Sequence, residues 1–264
     1  MKLVTYRLSG AEYVGALTAD GKGVLPLPAA DMNTLIETMT PADLRSAAAA
    51  AERGGAVPLS DVELLAPIPR PRQDVVCLGM NYRDHAEESA RYSADAFTKS
   101  STAAVYFSKR VSEAGKPDGV IPRHAGLTDR LDYEAELAVV LGKAARDLQT
   151  GHKQWYFGKS LDGFTPMGPV LVTADEIAYP PALEITSRVN GELRQKSNTA
   201  LLITSIGQIL EELTGGMTLL PGTIIATGTP AGVGMGFDPP RFLQSGDTVE
   251  CAIEGIGTLC STVI

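Results

Sequence analysis

The sequence predicts an α+β protein that is mostly β, in which a small N-terminal α/β module precedes a larger β domain. After residue 70, runs rich in β-branched and aromatic residues greatly outnumber stretches with helical spacing. Asn190-Gly191 lies between two such runs and is typical of a hairpin turn. This balance of strands and helices favours a closed or rolled β architecture over alternating β and α units.

The N-terminal module is predicted over residues 1–68. Thr40 is a suitable N-cap for its second helix, with Pro41 at the first helical position. The proline-rich stretch 67–72 then marks the boundary to a second domain of residues 69–264. The predicted elements of the module are strands at 2–8 and 13–17 and helices at 32–39 and 41–53.

The second domain is predicted to be built mainly from strands. Clear helical spacing covers 200–213, and a short helix is expected after residue 81 with Asn81 as its cap. The predicted strands are 75–78, 104–107, 134–141, 168–172, 183–189, 192–194, 223–227, 247–253 and 257–263.

Composition argues against several classes of function. The 264-residue chain is 44% apolar and 20% charged, values that are ordinary for a globular protein able to bury a core. Its net charge of −8, with no Lys/Arg-rich block, argues against nucleic acid or an anionic membrane as the main partner. Three cysteines without metal-ligand spacing predict reduced thiols. With no leader pattern and no stretch of ~20 apolar residues, a cytoplasmic protein is expected.

Three carboxylates share one face of the run from Asp132 to Val140, which is predicted to be a β-strand. Alternate side chains of a strand point the same way, so Asp132, Glu134 and Glu136 project together. Carboxylates beside a core repel one another and resist losing water, so a positive group should neutralise them. Glu134 and Glu136 are therefore candidate ligands for a divalent cation such as Mg²⁺ or Mn²⁺. The alternative is a strand whose carboxylates lie at a wet sheet rim.

Two further patterns indicate catalytic groups. His85 and Glu88 lie three residues apart in the short predicted helix, and a carboxylate beside an imidazole can make it a base that activates water. Lys159 stands among aromatic residues in the sequence and is a candidate buried ammonium facing the carboxylates. The alternatives are a surface helix with incidental charge pairing and a surface lysine that keeps its ammonium in water.

Two loops complete the candidate site. The glycines of residues 227–234, Thr-Gly-Thr-Pro-Ala-Gly-Val-Gly, allow successive backbone amides to converge on an anion, although a tight structural turn would have the same composition. The polar stretch from about 90 to 130 is long for a connection inside a domain, which favours a lid or binding loop over a disordered insert.

Taken together, these segments resemble the fumarylacetoacetate hydrolase family, which includes acylpyruvate hydrolases. The resemblance runs in order from about residue 70 to the C-terminus. It implies a β-roll catalytic domain, a homodimer, and a divalent metal (Mg²⁺ or Mn²⁺, with Ca²⁺ also compatible) that binds a small 2-oxo acid. The motifs that carry it are Asn81-Tyr82-Arg83-Asp84-His85, Asp132-Tyr133-Glu134-Ala135-Glu136-Leu137, Gly158-Lys159-Ser160, Asp162-Gly163-Phe164, Val189-Asn190-Gly191-Glu192-Leu193-Arg194-Gln195 and Thr227-Gly228-Thr229-Pro230-Ala231-Gly232-Val233-Gly234.

The resemblance also implies roles for individual residues. His85 and Glu88 match a water-activating pair on a mobile lid. Glu134 and Glu136 match two metal ligands, and Lys159 matches the lysine beside the metal. The substrate-binding residues that it implies are Arg146, Gln149, Thr229 and Lys109.

One departure from the family pattern affects the metal site. A helix and a strand are expected between Gly142-Lys143 and the motif that begins at Ala144, but here the two are adjacent. The aspartate that would be the third metal ligand is missing with them. Because losing a core strand should cost more than the ~5–15 kcal/mol of stability that a domain has, we expect that residues are missing from the sequence and not from the protein. If the loss is real, the alternatives are an inactive relative or a substitute ligand, Asp147 or Asp132.

The activity predicted from these residues is hydrolysis of a carbon–carbon bond in an acylpyruvate or related 2,4-dioxo acid. The metal would polarise the 2-oxo group, His85 with Glu88 would deprotonate a water, and Lys159 would stabilise the leaving enolate. Decarboxylation of oxaloacetate, isomerisation and hydration of a 2-oxo-alkenoate use the same enolate and remain alternatives. A degenerate scaffold without activity is a further alternative.

Overall fold

A computed structural model describes residues 1–89, 104–124, 130–142, 159–215 and 218–264. The strands in these ranges are β1 (Lys2–Leu8), β2 (Ala11–Leu17), β3 (Gly23–Pro26), β4 (Val57–Pro58), β5 (Glu63–Leu64), β6 (Val75–Gly79), β7 (Val105–Lys109), β8 (Gly119–Ile121), β9 (Ala138–Val140), β10 (Leu171–Val172), β11 (Glu184–Val189), β12 (Glu192–Asn198), β13 (Ile224–Ala226), β14 (Thr248–Ile253) and β15 (Gly257–Val263). The helices are α1 (Met32–Thr38), α2 (Pro41–Gly54), α3 (Arg83–Ser89) and α4 (Ile206–Thr214).

The described strands form three sheets. The first has the order β10-β1-β2-β3-β4, with β5 also pairing with β1. The second has the order β12-β11-β14-β15-β8, and the third β7-β6-β13-β9. Pairing is antiparallel except between β6 and β13 and between β8 and β15. The predicted class, α+β and mostly β, is confirmed.

The N-terminal sheet is not built from the N-terminal residues alone. Leu171 of β10 pairs with Leu3 of β1, and one apolar cluster contains both Met32 and Ile224. The two parts of the chain thus share a sheet and a core. The division into domains of residues 1–68 and 69–264 stays a prediction.

Local signals located several elements correctly. The Thr40 side chain accepts a hydrogen bond from the Asp43 amide and Asp43 bonds back to Thr40, so α2 begins with a capping box, with Pro41 in its first turn. Asn190 and Gly191 have φ of 51° and 80°, as a two-residue hairpin turn requires. The helix predicted at 200–213 begins later, at Ile206, because Ser205 caps it.

The segment before β9 corrects the predicted strand at 134–141. Burial alternates as predicted, with Leu131, Tyr133, Ala135 and Leu137 buried, but ladder pairing begins only at Ala138. The backbone groups of residues 135 and 137 are instead satisfied largely by side chains that approach from other parts of the chain. The alternation therefore survives although the strand assignment is wrong for residues 134–137.

The predicted cap of the short helix is also wrong. Helix α3 begins at Arg83, and the Asn81 side chain instead donates to the carbonyls of Thr204 and Thr227 at 3.0 and 2.9 Å. Asn81 is thereby used to hold together segments that are distant in sequence, and not to cap the neighbouring helix. Within the described ranges, no helix combines the length and apolar character needed to cross a membrane.

Candidate active site

A cavity of about 620 Å³ lies along the segment that precedes β9. Glu134 and Glu136 lie on its wall together with Lys109 and Lys159, so the structure brings four of the predicted site residues to one cavity. His85 and Glu88 are not part of this wall, but one loop contacts both groups, since the Gly228 amide donates to Glu136 and the Gly232 amide donates to Glu88.

Lys159 partly neutralises the carboxylate pair. Its ammonium forms an ion pair with Glu134 and lies 5.2 Å from the centre of the Phe107 ring. Burial by itself would raise the pKa of Glu134, but the charge and hydrogen bond of Lys159 outweigh it and the pKa is lowered. The same carboxylates raise the pKa of Lys159 against the opposing effect of its burial. Glu134 and Lys159 are therefore both charged at neutral pH.

Glu136 is the less acidic member of the pair. Burial and the neighbouring charge of Glu134 raise its pKa to about 6, although the Gly228 amide donates to its carboxylate at 2.8 Å. Three carboxylates (Asp132, Glu134 and Glu136) and three cations (Lys109, Arg130 and Lys159) lie on the cavity wall, so their formal charges balance. Glu134 and Glu136 supply the hard oxygen donors that a divalent cation would use.

Helix α3 presents the predicted His85–Glu88 pair. Nδ1 of His85 lies 3.1 Å from Oε2 of Glu88, and the histidine is 7% exposed. The Glu88 carboxylate also accepts a hydrogen bond from the Gly232 amide at 3.1 Å. A methyl group on Gly236 would overlap this carboxylate, so glycine is needed there. Glu88 is held from two sides and fixes the imidazole in turn.

The glycine-rich loop after β13 does bind anions through its amides, as predicted, but these anions are carboxylates of the protein itself. Glu136 and Glu88 each accept a hydrogen bond from one backbone amide of the loop. Asp132 accepts hydrogen bonds from the amides of Gly234 and Met235 at 2.7 and 2.8 Å. The Asp132 carboxylate also accepts its neighbour's amide at 2.9 Å. Because both of its oxygens are occupied, Asp132 is a poor substitute for the missing metal ligand.

Gln195 is a site residue that the sequence did not single out, although it belongs to a quoted motif. Its amide is fully buried and makes four hydrogen bonds. It accepts from the Ala135 amide at 3.1 Å and the Ser187 hydroxyl at 2.9 Å, and it donates to the Thr229 hydroxyl and the Pro230 carbonyl, both at 2.8 Å. Since Ala135 separates Glu134 from Glu136 in the chain, Gln195 positions the backbone between the two carboxylates.

The predicted substrate-binding residues are placed differently from one another. Lys109 lines the cavity and donates to the Phe164 carbonyl at 2.8 Å. Thr229 is buried, donates to the Ala135 carbonyl at 3.0 Å and does not line the cavity. Arg146 and Gln149 lie outside the described residues, as do Asp147 and residues 90–103 of the expected lid.

The donor set is compatible with a hard divalent cation, although it is incomplete. No cluster of three His, Cys, Asp or Glu side chains suited to a metal occurs among the residues that the structure describes. Mg²⁺ commonly takes only one or two protein carboxylates, with water and substrate oxygens completing its coordination. Glu134 and Glu136 meet that requirement.

Comparison with known proteins identifies the family. The family model for the fumarylacetoacetate (FAA) hydrolase C-terminal domain matches residues 74–152 and 143–264. The chain belongs to this family. It is 45% identical to an oxaloacetate tautomerase, YisK, of Bacillus subtilis (strain 168) over 234 residues, which cover 78% of this chain and 74% of that protein.

Two solved structures are similar over almost their whole length. A fumarylacetoacetate hydrolase from Exiguobacterium antarcticum has a TM-score of 0.79 at 37% identity, covering 100% of this chain and 99% of that one. A maleylpyruvate hydrolase from Sphingobium sp. SYK-6, in complex with manganese(II) and pyruvate, has a TM-score of 0.76 at 27% identity with the same coverage. These matches confirm the fumarylacetoacetate hydrolase fold.

The comparisons also bear on the missing segment. The two matched ranges overlap at 143–152, where the sequence analysis located the break. The alignment with the tautomerase spans 234 positions but includes only 78% of the 264 residues of this chain, which is about 206. About 28 aligned positions of the relative therefore have no counterpart in this chain. The sequence is continuous from Lys143 to Ala144. The segment is therefore absent from this chain, and the expectation that it was only missing from the sequence is wrong.

Proposed function

We propose that the protein is a metal-dependent hydrolase that cleaves a carbon–carbon bond in an acylpyruvate or related 2,4-dioxo acid. The observation that carries this proposal is the formed His85–Glu88 pair, which shares the loop of residues 228–232 with the cavity carboxylate Glu136. A fixed imidazole and an acidic pair are what water activation beside a bound 2-oxo acid needs.

Glu134 and Glu136 would hold the divalent metal, Mg²⁺ or Mn²⁺, with Ca²⁺ also compatible. The support is the pair of hard oxygen donors and the manganese in the similar maleylpyruvate hydrolase. When bound, the metal would supply positive charge beside the 2-oxo and carboxylate oxygens of the substrate. Glu136 must lose its proton first, and its pKa of about 6 allows this at neutral pH.

The residues of the chain would then move protons as follows. Glu88 accepts the hydrogen bond of Nδ1–H of His85, which leaves Nε2 as the base that takes a proton from water. The hydroxide attacks the distal carbonyl carbon, and the bond between that carbon and the methylene carbon breaks. The electron pair passes to the pyruvate enolate, near the ammonium of Lys159, and a proton returns to the methylene carbon. One acylpyruvate and one water give one carboxylic acid and pyruvate.

Product analysis tests this proposal. With acetylpyruvate and Mn²⁺, proton NMR should show acetate and pyruvate in equal amounts, and EDTA should stop the reaction until metal is restored. Lys2→Ala serves as the matched control for His85→Ala, because Lys2 is exposed and does not line the cavity. Turnover in excess chelator would refute the metal assignment, and absence of both acids would refute the hydrolase.

A second candidate, oxaloacetate tautomerisation or decarboxylation, is supported by the relative that is named for the tautomerase. It needs the same enolate but consumes no water. Incubation with oxaloacetate distinguishes the candidates, because enol–keto conversion or loss of CO₂ would appear without release of a second acid. Isomerisation and hydration of a 2-oxo-alkenoate would likewise each give a single product.

We also propose that the protein is a homodimer, as the family resemblance implies. Light scattering on the purified protein tests this, with a monomer mass of 27.8 kDa as the reference.

A further inference from the structure

The cavity is much larger than its acidic pair and a pyruvate unit need. Its volume of about 620 Å³ is roughly four times that of an engineered cavity that holds benzene, ~150 Å³. It falls within the range of ~300–1,000 Å³ in which proteins bind drug-sized ligands. Space therefore remains for a substituent beyond the 2-oxo acid.

The rest of the wall is largely apolar. Partly exposed aliphatic side chains from several separate segments of the chain face the cavity. They are Val140, Met167, Val170, Leu171, Ile256 and Leu259. Apolar side chains of this kind gain free energy when an apolar group replaces the water against them.

Val140 marks the end of a row of wall residues that begins at the acidic pair. Glu136, Ala138 and Val140 are alternate residues of the chain and all three line the cavity, whereas Leu137 between the first two is buried. At ~3.3 Å per residue in extended chain, Val140 lies ~13 Å from Glu136. Beyond Glu136, the side chains of this row, Ala138 and Val140, are both apolar.

The described cations on the wall are already engaged. Lys159 pairs with Glu134, Lys109 donates to a backbone carbonyl at 2.8 Å, and the Arg130 guanidinium lies 6.0 Å from the centre of the Phe242 ring. A substrate with a second carboxylate would bring a further negative charge to a wall on which three carboxylates, Asp132, Glu134 and Glu136, already balance these three cations. An uncharged substituent avoids this cost.

We propose that the site takes 2-oxo acids whose acyl substituent is an uncharged apolar chain or ring of six or more carbons. The substituent lies along the row that ends at Val140. The reaction part of this inference rests on the proposed hydrolase function, whereas the binding part does not. The binding part can therefore be tested alone.

Calorimetry with unreactive 2-oxo acids provides that test. With Mn²⁺ present, pyruvate, 2-oxohexanoate and 2-oxodecanoate should bind progressively tighter, by roughly three- to fourfold per buried methylene. 2-Oxoglutarate should bind at least tenfold more weakly than 2-oxohexanoate. Equal affinities along the series, or tightest binding of 2-oxoglutarate, would overturn the proposal. Because none of these ligands can be cleaved as an acylpyruvate, the result is independent of whether the hydrolase function holds.

Variants locate the substituent. Val140→Phe narrows the cavity and should reduce the preference for 2-oxodecanoate over pyruvate at least tenfold. Leu259→Phe provides a second variant should the first fail to fold. Leu201→Phe is the matched control, because Leu201 is 60% exposed and does not line the cavity. An unchanged preference in both cavity variants would show that the substituent does not reach this wall and would overturn the assignment.

Discussion

Replacing Gln195 by methionine should destabilise the protein strongly, because the change removes four buried hydrogen bonds at nearly constant volume. The Ala135 amide and the Pro230 carbonyl lose their partners, while the Thr229 hydroxyl keeps its bond to the Ala135 carbonyl. The Ser187 hydroxyl, which is fully buried, also loses its acceptor. Three buried polar groups are left unpaired at a cost of ~1–3 kcal/mol each, so the free energy of unfolding should fall by ~3–9 kcal/mol. This is a large part of the ~5–15 kcal/mol available to a domain.

Urea denaturation measures this loss, with Lys196→Met as the matched control on the same strand. Lys196 is exposed and pairs with Glu184 at 2.9 Å, an interaction worth only ~0–1 kcal/mol. Gln195→Met should also weaken Mn²⁺ binding, since the amide that it releases lies between Glu134 and Glu136. Equal unfolding free energies for the two variants, within about 0.5 kcal/mol, would refute the role assigned to the Gln195 network.

Three further results are expected. His85→Ala should lower kcat by roughly 10²–10⁴ in steady-state assays, with oxalate affinity measured by calorimetry changing by less than about threefold. Gly236→Ala would place its methyl group against the Glu88 carboxylate, so kcat should fall, whereas Gly54→Ala meets no atom within 4 Å and should leave kcat unchanged. In metal-free protein, burial is the main effect that raises the pKa of Glu136 from 4.5 to about 6. The contribution of protonated Glu136 to the free energy of unfolding is therefore fully present below pH 4.5 and is lost as the pH rises through 6. Glu136→Gln should therefore flatten the fall in Tm between about pH 5 and 7, and an identical pH profile would contradict this.

The parts of the site that depend on local patterns could be predicted from the sequence. Alternation along residues 132–140 located Glu134 and Glu136 on one face, and spacing of three residues on a helix brought His85 to Glu88. Both patterns depend on residues a few positions apart, and neither requires knowledge of the tertiary structure. The alternation held even where no ladder forms, because burial and not strand pairing imposes it.

The parts that depend on distant partners could not be predicted. Gln195 matters because the register of β11 and β12 places it opposite Ser187, and because residue 135 comes within reach from elsewhere in the chain. Asp132 is in step with Glu134 and Glu136 in the alternation, but its carboxylate accepts hydrogen bonds from the Gly234 and Met235 amides, which lie 102 and 103 residues later in the chain. Asn81 has the composition of a cap and instead bonds to residues more than 120 positions away. Sequence pattern singled out Asp132 and Asn81 but not Gln195, and only the tertiary fold assigns the partners of all three.

The loop of residues 228–235 explains how the candidate site can keep its geometry without the missing segment. The Gly228 amide donates a hydrogen bond to Glu136 and the Gly232 amide donates one to Glu88. One loop therefore orients a member of the acidic pair and a member of the His85–Glu88 pair. The loop is itself tied down through Gln195, which bonds to residues 229 and 230. The loop and Gln195 both lie after residue 159 in the sequence and so are separate from the break at Lys143. The loss therefore removes the position of a third ligand but leaves the frame that orients the other two carboxylates, which favours a working metal-dependent enzyme over an inactive scaffold.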